Sequence, residues 1–125
     1  MRHRVSNATA ALVGAAGATA VAFGAFGAHA LRNTLDASAL ATWHTGVEYH
    51  FWHALALLAT CLLPASRARQ VAQSAFALGI LFFSGSLYAL ALGAPRWFGP
   101  VTPLGGVAFI VGWLALGFAL RANRD

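Results

Sequence analysis

The stretch WHTGVEYHFWH, residues 43–53, runs directly into ALALLATCLLP, residues 54–64, and the fold turns on how these two strings share one helix. The first carries His44, Glu48, His50 and His53, groups that titrate near neutrality or accept protons, while the second reads as the inside of a membrane helix. An apolar run reaching back only to Phe51 is too short to cross a hydrocarbon core of about 30 Å at about 1.5 Å per residue. The helix must draw in residues back to about His44, which sets Glu48, His50 and His53 inside its outer half. Polarity at that depth is costly unless it turns inward and pairs.

The rest of the chain points to the same solvent. Its 125 residues are 59% hydrophobic and 9% charged, with a mean hydropathy of +0.68. Roughly a quarter of an ordinary soluble domain is charged. The expected partner is therefore the lipid bilayer. A net charge of +5 and a pI near 11.2 could suggest nucleic acid. All eight basic residues, however, are Arg at the ends of apolar runs. No basic stripe forms, which argues against a nucleic-acid partner. The single Cys61 sits in an apolar run. It supports neither a disulfide nor a thiolate metal site and reads as a small buried hydrophobe.

Four apolar segments follow, over about 8–31, 44–63, 71–92 and 104–120. A cleaved signal peptide ending near Ala28, His29 and Ala30 is the rival reading of the first, but signal cores run about 7 to 15 residues and this segment is longer, so a retained helix is expected. Ala16, Ala20, Gly24 and Ala28 recur every fourth position and line one face with a groove for another backbone. Asp36 or Ser38 could cap the second helix, which ends at Pro64 before a basic turn with Arg67 and Arg69. Between the last two segments, GAPRWFGPVTP (93–103) holds three of the four prolines, with Trp97 and Phe98 suited to the membrane interface. Arg2, Arg4, Arg67, Arg69, Arg121 and Arg124 fall on one side and only Arg32 and Arg96 on the other, so both termini should be cytoplasmic. The expected fold is all-α: a polytopic single domain, four transmembrane helices in a compact bundle.

Measured along the helices, Ser84, Ser86 and Tyr88 come out at about 20 to 26 Å from the inner face and Glu48 and His50 at about 20 to 23 Å. His29 and Thr102 lie slightly farther out. The four helices thus contribute to one polar slab near the outer face, expected to be a single network. Around the second helix, Tyr49 and His53 share a face, His50 flanks it, and His44 with Glu48 points the opposite way, so two sub-clusters, or one inward cluster plus an interfacial His44 and Glu48 pair, fit better than one compact site of all four. The ligand or proton-relay candidates are therefore His29, Tyr49, His50, His53, Ser84, Ser86, Tyr88 and Thr102, with His44 and Glu48 secondary. No metal is expected: thiolates are absent and no His-Glu-x-x-His string occurs. Haem would need His29 and His53 as ligands from different helices. The small residues of SGS (84–86) and GGVAFIVG (105–112) read as close-packing positions, and no cofactor motif, phosphate loop or paired nucleophile and base is legible.

Four strings, GAFGAHAL (24–31), TGVEYHFWHALALL (45–58), FFSGSLYALAL (82–92) and VTPLGGVAFIVGW (101–113), resemble the YgdD/YwdK-type small inner-membrane family, DUF423, related to transmembrane protein 256 of animals. The resemblance covers nearly the whole chain. It implies four membrane helices in the bacterial inner membrane and no established reaction. His29, Tyr49, His53, Ser84, Ser86, Tyr88, Thr102 and Pro103 fall on the family's pattern. Glu48 is not fixed there, and His44 and His50 depart from it, His50 standing where Gln is usual. Two functions remain open, ahead of a third, a membrane-embedded enzyme. Either the slab binds a small ligand or relays protons, centred on His53 and Tyr49, or the protein is an accessory membrane subunit whose slab only fixes helix register. Gly-lined faces suit a homo-oligomer or a second membrane protein as partner, and no residue decides between them.

Overall fold

The computed structural model describes residues 5–122, and among them every regular element is helical. Helix α1 spans Asn7–His29 and α2 spans Ala37–Thr60. A third rod, Arg67–Ala91, is built from α3 (Arg67–Gly79), a π-helical turn (Ile80–Ser84) and α4 (Gly85–Ala91). A short 3₁₀ turn, Arg96–Phe98, leads into α5, Val101–Ala122. By length and composition, three stretches can cross a membrane: Asn7–His29, Arg67–Ala91 and Arg96–Arg121. Helix α2 is as long, at 24 residues, but it carries the polar string and is not among them. Arg2, Arg4 and Arg124, which entered the charge count, lie outside the described residues.

Each boundary has a local cause. Asp36, one of the two expected caps, caps α2, its carboxylate accepting from the Ala39 backbone N–H at 2.8 Å, so the helix begins at Ala37. Asp36→Ala is expected to lower thermal stability by about 1 kcal/mol, read from unfolding in detergent. At the other end, the buried Arg69 donates from Nη1 to the Leu63 carbonyl at 2.5 Å, tying down a carbonyl of the turn that leaves α2. Helix α4 stops at Gly93, whose φ of 99° only glycine adopts freely. The N–H groups of Gly93 and Ala94 turn back to Leu90 and Ala89 at 3.1 and 2.9 Å, the double bond pattern of a glycine-terminated helix.

The third rod departs from the uninterrupted helix expected over 71–92. At its middle the Gly85 N–H reaches Ile80 O, five residues back, which inserts one residue into the turn. This changes the direction in which every later side chain of the rod points.

Helix α2 is central, touching α1 on one side and the third rod on the other, while α5 packs along α3. The α3–α5 seam is made by rings lying on glycines from both directions. Phe109 covers Gly79, and a Cβ placed on Gly112 would come within 2.6 Å of the Phe76 ring. Along α1, Ala16 and Ala20 are buried against α2 as the small-residue groove requires. The expected fourth member, Ala28, is exposed; Gly27 takes its place. The reason is Trp43, whose indole lies where a Gly27 Cβ would be (2.6 Å) and donates to the Phe23 carbonyl at 2.9 Å. On the outer side of α5, Leu104, Val107, Ile110, Leu114 and Phe118 are exposed at helical spacing.

Candidate functional site

The polar residues do not form one network. They separate into pairs because α2 presents them to different neighbours. His53, on the face turned to α5, lies flat on Phe109, ring centroids 3.6 Å apart. Its Nδ1 is 2.7 Å from the Tyr49 carbonyl, and Trp113 Nε1 donates to its Nε2 at 3.0 Å. A carbonyl can only accept and an indole N–H can only donate, so His53 is held as the neutral tautomer with its proton on Nδ1. A second proton would set N–H against N–H. In this arrangement both His53 ring nitrogens are engaged, by the Tyr49 carbonyl and the Trp113 indole.

His50 has different company. Its Nδ1 lies 2.8 Å from Tyr88 Oη and its Nε2 3.1 Å from Thr19 Oγ1. Thr19 in turn donates to the Ala15 carbonyl at 2.7 Å. With the Thr19 proton so engaged, His50 Nε2–H donates to Thr19 and Tyr88 O–H donates to Nδ1. Both neighbours are hydroxyls, able to give or to take. The same ring could carry a second proton and donate to both without breaking either contact. Phe23 and Trp43 hold Tyr88 in place, at centroid distances of 5.0 and 4.6 Å.

The serines expected to face His53 are used elsewhere. Ser84, fully buried, donates to the Gly46 carbonyl of α2 at 2.7 Å. Ser86 meets Thr102 of α5 at 2.5 Å and donates to Phe83 O at 2.9 Å. The extra residue of the π turn sends these side chains to different helices. His29, His44 and Glu48 are exposed and join none of these pairs. Tyr49 lies half-buried in the ring stack with His53 and Phe109. No group of three or more His, Cys, Asp or Glu among the described residues converges on a point that could hold a metal. Every buried side-chain N or O among them has a partner.

Two clefts reach these pairs. One, of about 850 Å³, lies between α2 and α5 and is walled by Tyr49, Trp52, His53, Phe109 and Trp113. The other, of about 430 Å³, lies between α1 and the third rod, with His50, Thr19 and Tyr88 among its walls. It exists because α1 packs chiefly on α2 and stands off from the third rod.

Residues 23–106 match the family model described as "Protein of unknown function (DUF423)". The chain belongs to the DUF423 family. It is similar to a UPF0382 membrane protein of Haemophilus influenzae, 41% identical over 91% of this chain and 94% of that one. The UPF0382 inner membrane protein YgdD of Escherichia coli is 45% identical over 83% of this chain and 82% of its own length. YwdK of Bacillus subtilis, another UPF0382 membrane protein, is 44% identical over 78% of this chain and 82% of its own. No solved structure matches. This DUF423 chain is thus a bacterial inner-membrane protein of an uncharacterised family, with a His, Tyr and Thr hydrogen-bonded cluster.

Two residues of the DUF423 cluster escaped the sequence reading. Trp113 carried a signal, since an indole N–H on an apolar helix needs a partner. Thr19 carried none, because a lone Thr in such a helix can satisfy its hydroxyl on its own backbone, as this one also does.

Proposed function

We propose that this chain crosses the inner membrane four times, both termini cytoplasmic, as a single bundle, and binds a small hydrogen-bonding ligand at His50, Tyr88 and Thr19. It is a binding protein on this reading. The observation that carries the reading is the hydroxyl, imidazole, hydroxyl row opening on the cleft between α1 and the third rod. His53 also borders a cleft, but its ring nitrogens are held by a carbonyl that can only accept and an indole N–H that can only donate, whereas both neighbours of His50 are hydroxyls.

The test uses the full chain in lipid nanodiscs with ¹⁵N-labelled histidine. Hexanol is expected to move the His50 ring resonances saturably, while hexane does not. His50→Gln should retain hexanol binding, followed through an indole ¹⁵N label on Trp43, because its amide can accept from Tyr88 and donate to Thr19. His50→Ala should lose it. Equal, unsaturable responses to hexanol and hexane would sink the reading.

The second reading, an accessory subunit that assembles through its helix faces, draws support from the complete pairing of the buried polar atoms. It requires that His50→Ala leave ligand responses untouched and instead disturb association with a partner, which size-exclusion in mild detergent measures.

A further inference from the structure

The cleft at His50 is the upper end of something longer. Descending from Phe23 and Tyr88, its walls become wholly apolar: Leu57 below His50, then Leu12 and Leu78 on opposite sides. Phe23 to Leu12 is eleven residues of α1, roughly 16 Å of helix. A second recess of about 590 Å³, lined by Gln70, Gln73 and Ser74, adjoins it at Leu12, Ala77 and Leu78. The groove between α1 and the third rod thus has a hydrogen-bonding site near its outer end and an apolar floor beneath it.

We infer that this groove takes an uncharged long-chain alcohol or phenol, its hydroxyl on Tyr88 and its chain lying along α1 toward the cytoplasmic side; the inference rests on the binding reading above. Three features select that chemistry. None of the residues walling the cleft at His50 is Arg, Lys, Asp or Glu, so a phosphate, carboxylate or ammonium head would enter without a counter-charge. The protons of Thr19 and Tyr88 are already committed, to Ala15 O and to His50 Nδ1, so the hydrogen-bonding capacity these two lining residues have left is as acceptors. The incoming group must therefore donate, which an alcohol does and an ether or ester does not. Finally, the apolar floor lies below the head site, and in the proposed topology this is the orientation of a molecule already resident in the outer leaflet. It can slide in sideways without turning over.

Lipid tails are as apolar as Leu, so the chain is accommodated in the groove and adds little affinity of its own. The decisive test is consequently steric. In nanodiscs, with His50 ¹⁵N resonances as the readout and ligand concentrations corrected for partitioning, dodecanol and hexanol should bind about equally to the natural chain. Ala77→Phe, which fills the floor from one wall, should weaken dodecanol about tenfold or more and hexanol less than about twofold. Leu12→Trp, which fills it from the other, should do the same. Dodecyl methyl ether should leave His50 unmoved. If hexanol shifts His50 but neither variant separates the two alcohols, the long groove is not the ligand's path, although the binding site stands. If the ether binds as well as the alcohol, the donor requirement is wrong. If neither alcohol shifts His50, the underlying site reading fails as well.

Discussion

Gly105→Ala is expected to cost the folded chain about 3 kcal/mol, and to leave little properly folded protein in the membrane. The added methyl would meet the backbone of Phe83, with Phe83 Cα at 2.7 Å and its amide nitrogen closer still. Where a new methyl touches the end of a side chain, that side chain can swing away. Here the obstacle is main chain inside the π turn, so α5 and the third rod must move apart and loosen the Phe109 and Phe76 contacts along the same seam. Gly117→Ala serves as the control, because nothing lies within 4 Å of a Cβ there. It should be neutral or slightly stabilising, as expected for Ala replacing Gly in a helix. Thermal unfolding of both variants in nanodiscs decides the matter, and matching midpoints would show that the seam yields more easily than its geometry implies.

His53→Ala should destabilise by a similar amount, about 3 kcal/mol, from a lost ring on Phe109 and an indole N–H left without its acceptor. The ring is 5% exposed, so nearly all of its surface is in contact with protein and is lost with it. His53→Phe separates the two contributions: the stack survives, the acceptor does not, and the loss should shrink to about 1 kcal/mol. Trp113→Phe should cost about as much as His53→Phe, and the double variant no more than either, since both remove the same bond. Fully additive losses would mean that the indole and imidazole are independent, against the 3.0 Å contact. Hexanol binding at His50 should persist in every one of these variants that folds, because the two histidines face different clefts.

The contrast between the two histidines also marks how far residue order can be read. Helices were legible because long apolar runs are punctuated by local chemistry, as where Asp36 caps α2. Depth was legible too: counting residues set His50 and Tyr88 at neighbouring levels, and they bond at 2.8 Å. Direction around the helix axis was not. Counting from α3 assumes about 100° per residue, and the extra residue in Ile80–Ser84 breaks that count before Ser84, Ser86 and Tyr88 are reached. Nothing in ILFFS announces a π turn; it arises from the fit of Phe83 onto Gly105 and Ser84 onto Gly46, contacts between segments far apart in the chain. The same limit hid the partner of His53, because Trp113 lies sixty residues away.

The Trp43 to Phe23 bond bears on how the protein gets into the membrane at all. Helix α2, with three histidines and a glutamate, is the long helix among the described residues that is not apolar enough by composition to cross a membrane, whereas α1 is. Residues 30–36 are a link short enough for the two to leave the translocon as a hairpin, with His50 already covered by Thr19 and the indole latched over Gly27. On the four-span topology α1 is thereby an insertion partner for α2. A bulky residue at Gly27 would be felt before folding begins, as a chain whose second helix stays outside the bilayer and whose later segments are threaded the wrong way round.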